Sequence, residues 1–193
     1  PRRDRDTWTD SERQGLATLA ADTSESLERS ALFAELSRMA RMDSLTGLAN
    51  RRTFTEELTK ALEHAPEDGR WPALLYLDLD NFKLVNDWYG HHVGDALVRE
   101  VSERITSVVG AEVMAARLGG DEFAVLINDR RAVVEQVADD LATRLGEQLV
   151  IEDRELSVGA SIGLAFASEG LSSDDLFRNA DLAMYHAKTR AGS

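Results

Sequence analysis

Residues 113–127 constrain the fold of this chain more than any other stretch. An apolar segment, Val113-Met114-Ala115-Ala116, passes through Arg117-Leu118 to Gly119-Gly120-Asp121-Glu122, and a second apolar run, Phe123-Ala124-Val125-Leu126-Ile127, leaves again. Two strand-length runs bracketing a Gly-Gly turn read as a β-hairpin with its charge at the tip, because glycine enters positive φ without a Cβ penalty. Adjacent side chains on a strand point to opposite faces, so Asp121 and Glu122 aim at one ligand only if the turn twists them together. A solvated hairpin tip would carry the same residues, and the tip alone does not separate the two readings.

A second segment does. Trp71-Pro72-Ala73-Leu74-Leu75-Tyr76-Leu77-Asp78-Leu79-Asp80-Asn81-Phe82-Lys83 reads as a buried strand that ends in two aspartates, an aromatic and a lysine. Carboxylates seldom finish an apolar strand without a partner or a ligand. Asp-x-Asp spacing at a strand end suits Mg²⁺, which takes one or two carboxylates and keeps its remaining sites for water and substrate phosphates. Lys83 is placed to meet phosphate as a point charge. An N-cap for a following short helix, at Asp80 or Asn81, accounts for one of these residues but not for the set.

Composition narrows the function classes. The chain has 193 residues and a formal net charge of −13, which argues against a nucleic acid polymer as the main partner. An acidic protein still binds a nucleotide where a metal and a few lysines dominate locally. It contains no cysteine, so disulfides and thiolate metal sites are excluded, in keeping with a reducing cytoplasm. No apolar run reaches membrane-spanning length and no secretory signal is present; Pro1 reads as a cut from a longer chain.

The periodicity predicts a flexible terminus over 1–10 and a long amphipathic helix over 11–42. The helical stripe of Leu16, Leu19, Ala20, Leu27, Ala31 and Ala34 is interrupted by Thr23, Ser26 and Ser30. It packs either on its own domain or against a second copy, as a weak coiled coil suited to a signalling linker. Further on, helices are expected at 51–64, 93–109, 131–147 and 173–189, the last capped by Ser172-Ser173-Asp174-Asp175. A strand is expected at 73–79, and a second hairpin at 148–167 with its turn at Glu152-Asp153-Arg154 and one long strand over 156–166. Hairpins mixed with helices, rather than strict βαβ repeats, indicate an α+β domain over 43–193 with a central, partly antiparallel sheet.

Six ordered blocks resemble the GGDEF family, the bacterial diguanylate cyclases. They are Asp43-Ser44-Leu45-Thr46-Gly47-Leu48-Ala49-Asn50-Arg51-Arg52, then 78–87, then Gly90-His91-His92-Val93-Gly94-Asp95, then Gly119-Gly120-Asp121-Glu122-Phe123, Ser161-Ile162-Gly163 and 180–188. The resemblance implies a mixed five-stranded sheet surrounded by helices, related to the polymerase palm and the class III nucleotide cyclases. It also implies the condensation of two GTP into cyclic di-GMP with release of two pyrophosphates. This would occur in a homodimer regulated by an upstream sensor, and the helix over 11–42 resembles the last helix of a GAF-type sensor. A GGDEF module that binds GTP without turnover is the alternative.

By position, Asp78, Asp121 and Glu122, with the Leu79 carbonyl, would hold Mg²⁺ (or Mn²⁺), two ions per site, and Glu122 would help activate the attacking hydroxyl. Phe82 and Lys83 would cradle phosphates, Lys188 would add charge, and Gly119 and Gly120 would admit the α-phosphate. Asn86 and Asp95 would read guanine, since a carboxylate accepting from N1 and the exocyclic amine is a match that adenine cannot offer. Asp43, Asn50 and Arg51 are read as braces of the junction, His91 and His92 as packing or hydrogen-bonding residues, and Met184 and Tyr185 as core.

Two departures from the family pattern stand out. The inhibitory Arg-x-x-Asp of many members has Gly110 and Val113 at its ends here, which implies no product feedback through that site. The usual Lys-x-x-Gly-Arg-Asn ending is also absent: Lys188 is followed by Thr189-Arg190-Ala191-Gly192-Ser193, with Arg190 the available substitute and a terminal strand expected to be missing.

Overall fold

The computed structural model describes Gln14, Leu19, Arg29 and residues 40–63 and 70–191. The expected terminus at 1–10, most of the helix at 11–42 and the turn at 66–69 lie outside them. The chain divides into two compact units after Ala40, and the second carries the elements given below.

In chain order these are β1 (Ala49–Asn50), α1 (Arg51–Glu63), β2 (Ala73–Leu79), α2 (Phe82–Tyr89), α3 (His91–Val109), β3 (Met114–Gly119), β4 (Glu122–Ile127), α4 (Arg131–Gly146), β5 (Leu149–Ile151), β6 (Arg154–Leu156), β7 (Ala160–Phe166) and α5 (Ser173–Ala191). The main sheet is five-stranded, in the order β1-β3-β4-β2-β7. β1 runs parallel to β3, and the other neighbours are antiparallel. The expected mixed sheet is thus present.

The continuous apolar run of β2 follows from its place inside the sheet, with helices covering both faces. Leu75, Leu77 and Leu79 enter one core with Val85, Leu97, Ile105, Val134 and Leu141 from α2, α3 and α4. Leu74 and Tyr76 enter the other with Phe54 and Leu58 of α1 and Leu176 and Met184 of α5. Period-2 alternation therefore places Asp78 on the face of Tyr76, toward α5.

Three expectations change. The long strand proposed over 156–166 is broken at 157–159, where the Gly159 carbonyl accepts the amide of Asp80 at 2.9 Å. β5 and β6 form a separate two-stranded sheet, and β7 pairs with β2 instead. Glu152 and Asp153 both adopt positive φ, 48° and 61°, the geometry of a tight hairpin turn matched to strand twist. Asn81 occupies the N-cap of α2 in a left-handed conformation, but its side chain makes no capping bond; Asp80 instead accepts from the Ser161 hydroxyl at 2.8 Å. Tyr185 is 61% exposed rather than core, because α5 seats on the sheet through Ala180 and Met184.

That seat requires glycine. A Cβ at Gly163 would stand 2.0 Å from the Ala180 carbonyl oxygen and 2.4 Å from the Met184 nitrogen, so α5 lies directly on β7. Lys188, one turn past Met184, is thereby brought to the end of β2. On the opposite face, Arg104 is buried in α3 and donates to the carbonyls of Arg144, Glu147 and Gln148 at 2.8–3.1 Å. It satisfies the carbonyls that the end of α4 leaves without intrahelical partners.

Candidate active site

β2 and the β3–β4 hairpin bring three carboxylates to one end of the sheet. Asp78 lies directly opposite Glu122 in the β2–β4 register. A bulge between Arg117 and Gly119 leads into the turn, where Gly119 and Gly120 take φ of 149° and 52°. Asp121 is a turn residue, not a strand residue, so strict alternation does not govern it. Its carbonyl accepts the Leu79 amide at 3.2 Å, which ties the hairpin tip to the end of β2. The hairpin tip that carries Asp121 and Glu122 is thereby held against the end of β2.

Each carboxylate has a different environment. Asp78 is paired with the Lys188 ammonium, and this hydrogen bond raises the lysine pKa. Glu122 accepts from the Tyr76 hydroxyl through Oε1 at 2.7 Å and from Arg51 through Oε2 at 3.1 Å. Burial first, and then the bond to that carboxylate, push the Tyr76 phenol up. Burial, followed by the like charges of Asp78 and Glu122, pushes the Asp121 carboxyl above its ordinary value, with Lys188 partly opposing. Three negative charges are gathered with fewer positive ones than they need.

The surrounding donors suit phosphate. Phe82 and Lys83 form the first turn of α2, whose amides have no intrahelical acceptor and sit at the positive end of the helix dipole. Phe82 packs partly into the core and the Lys83 side chain is exposed. Asn86 is on the same helix, and Asp95 is exposed in the first turns of α3. The side chain of Arg190 lies outside the described residues. His92 faces Glu152 at 3.4 Å, away from the carboxylate group.

Among the described residues, no three acidic or imidazole side chains close a cage on an ion by themselves. Mg²⁺ does not require one, because it takes one or two carboxylates and completes its octahedron with water and phosphate. The hard oxygen donors of Asp78, Asp121 and Glu122 fit that demand.

Sequence reasoning missed Tyr76. Tyr76 lies two residues before Asp78, so period-2 geometry was the available signal. Arg51 donates its Nε to the Leu118 carbonyl at 3.0 Å while its other arm reaches Glu122. The Asn50 side chain caps α1 by accepting the Thr53 amide at 3.0 Å, and Asp43 pairs with Arg117.

Residues 40–193 match the family model described as "Diguanylate cyclase, GGDEF domain". The chain is 46% identical over 156 residues to the bifunctional diguanylate cyclase/cyclic di-GMP phosphodiesterase MucR of Pseudomonas aeruginosa, covering 80% of this chain and 23% of that protein. It is 43% identical to the cyclic di-GMP phosphodiesterase PdeR of Escherichia coli, covering 78% and 23%. It resembles the crystal structure of the coiled coil and GGDEF domain of DgcB from Caulobacter crescentus in complex with c-di-GMP. That likeness has a TM-score of 0.83 at 32% identity, over 91% of this chain and 94% of that one. The chain spans less than a quarter of the length of the two curated relatives.

Proposed function

The chain belongs to the diguanylate cyclase GGDEF-domain family, and on that premise we propose that it condenses two GTP into cyclic di-GMP and two pyrophosphates. The carrying observation is the convergence of Asp78, Asp121 and Glu122 beside Lys188 and the first turn of α2. In each half-reaction a ribose 3′-oxygen forms a bond to an α-phosphorus, the bond to pyrophosphate breaks, and the hydroxyl proton leaves.

Asp78, Asp121, Glu122 and the Leu79 carbonyl would hold Mg²⁺, or Mn²⁺, with two ions per site. When bound, the metal neutralises phosphate charge and lowers the pKa of the attacking hydroxyl. Glu122 takes up the proton, held in orientation by Tyr76 and Arg51. Phe82 and Lys83 receive the β- and γ-phosphates, and Lys188 shifts from Asp78 toward them. Gly119 and Gly120 leave room for the α-phosphate, since among the described residues none but the chain neighbours lies within 4 Å of where a Cβ at either would stand. Asn86 and Asp95 read guanine.

Two such sites must face each other, so the active form is a homodimer, paired through the helix of residues 11–42 under an upstream sensor. We divide the chain into a linker of residues 11–42 and a catalytic domain of 43–193, and the likeness to a DgcB fragment named for its coiled coil and GGDEF domain is in keeping with a linker before the catalytic domain. Among the described residues no helix is long and apolar enough to cross a membrane; we place the reaction in the cytoplasm, where GTP is made. Gly110 and Val113 form a tight turn at the end of α3 where an Arg-x-x-Asp site would lie, so no product feedback acts there.

The test is incubation with Mg²⁺ and GTP, following pyrophosphate and cyclic di-GMP. Product at two pyrophosphates per cyclic di-GMP supports the cyclase. Saturable GTP binding without product at high protein concentration supports the second reading, a regulatory GTP-binding module, which the phosphodiesterase name of PdeR favours.

A further inference from the structure

Gly94 is buried in the first turns of α3, at a backbone conformation that any L residue adopts. A glycine inside a helix costs about 1 kcal/mol relative to alanine, so its presence there calls for a specific cause. The cause is visible in one contact. A Cβ at position 94 would stand 2.1 Å from Oδ1 of Asn86, 3.0 Å from its Cγ and 3.4 Å from its Nδ2. The amide of Asn86 occupies the volume that any other residue would fill.

The backbone holds the two residues at this spacing. The Asn86 carbonyl accepts the Gly90 amide at 2.9 Å, which closes α2. Gly90 turns the corner at φ 86°, and its own carbonyl accepts the amides of Val93 and Gly94 at 3.2 and 3.3 Å. Gly94 is therefore pinned over Asn86 by the corner itself, and Asp95 follows it directly in the chain. The obstructed atoms belong to a side-chain tip rather than to backbone. A larger residue at 94 would turn Asn86 to another rotamer and leave both helices where they are.

We infer that Gly94 is a positioning residue for base recognition: it sets the amide plane of Asn86 in register with the carboxylate of Asp95. This rests on the proposed reading of Asn86 and Asp95 as the guanine-contacting pair. A glycine retained only for packing would stabilise the fold. This one leaves helix propensity unused and leaves open the volume that the Asn86 amide occupies.

The test is equilibrium binding of guanosine 5′-[α,β-methylene]triphosphate, whose bridging carbon blocks loss of pyrophosphate, to the wild-type chain, Gly94→Ala, Asn86→Ala and the double variant. The adenosine counterpart serves as control, and melting curves accompany each. Each single substitution is expected to weaken the guanine nucleotide about tenfold, the worth of one hydrogen bond. Gly94→Ala should leave the melting temperature equal or higher, and the adenine nucleotide should be indifferent to both changes.

In the Asn86→Ala background, Gly94→Ala is expected to cost nothing further, because the partner through which it acts is gone. An equal loss in that background would overturn the proposal, as would a melting temperature lowered by Gly94→Ala alone. If Asn86→Ala itself leaves guanine affinity unchanged, the assignment of Asn86 to the base has failed, and the role of Gly94 falls with it. The Asn86→Ala arm thus separates the two failures.

Discussion

Asp43 and Asp121 sit at two ends of one brace, and their carboxyls are treated in opposite ways. Arg117 reaches Asp43 with one arm, at 3.2 Å, and the carbonyl of Gly120, the residue before Asp121, with the others at 2.8 and 3.0 Å. At the Asp43 end, burial alone would raise the carboxyl pKa. The Thr46 hydroxyl and amide and the Arg117 charge outweigh it, so the net shift is downward. At the Asp121 end, burial and two like charges push it upward, and only Lys188 and a backbone amide resist. The chain saturates the carboxylate that holds the hairpin in place and leaves under-compensated the one that it presents.

The largest effect that would break this comparison concerns turnover. Glu122→Gln should lower cyclic di-GMP formation on the order of a thousandfold, with little change in melting temperature. Retained activity would remove Glu122 from the chemistry. Next is the buried Arg104. Arg104→Met strands the carbonyls of Arg144, Glu147 and Gln148 and should cost about 3 kcal/mol in chemical unfolding. Turnover per folded molecule should be unchanged.

A smaller loss is expected from Asp43→Ala, about 2 kcal/mol at pH 7, the scale of hydrogen bonds to a charged group. Because the folded-state pKa of Asp43 lies below its ordinary value of 3.8, the stabilisation is complete above that value and disappears as pH falls through the folded pKa. The gap between wild type and variant in urea titrations should therefore close in acid.

The smallest effect has the opposite sign. The raised pKa of Asp121 means that the native carboxyl holds its proton to higher pH than the unfolded one. Stability is then lost as pH rises above the ordinary value of 3.8, and the cost is fully present at neutrality. Asp121→Asn should raise the melting temperature slightly at pH 7 in a metal chelator, and the gain should vanish toward pH 3.8. A lowered melting temperature would show Asp121 to be a structural residue like Asp43.

Much of the site was legible because it depends on local geometry. β2 could be delimited to the residue from its apolar run, and the hairpin from two glycines between two such runs. Asp78, Asp121 and Glu122 stand at the ends of those strands, so locating the strands located them. The strand expected over 156–166 was not recoverable in the same way. Its break at 157–159 is made by a bond from Asp80, more than 70 residues upstream, and no periodicity within the segment announces a distant partner. Tyr185 escaped for a similar reason: the face of α5 that is buried is chosen by Gly163 on another strand. The contact of Arg51 with Glu122 joins residues 71 apart in the chain, and no local pattern announces it.

The sequence by itself determined most of the helices, the strand β2, the family and the list of charged residues, since these follow from short-range propensity, apolar periodicity and motif spacing. Tertiary structure alone decided which charges are neutralised and which are left wanting. That choice rests on Lys188 being carried to Asp78 by the α5 seat on Gly163, and on Arg51 and Tyr76 closing on Glu122 from separate elements. Coulombic balance depends on distance through space, and distance along the chain does not predict it.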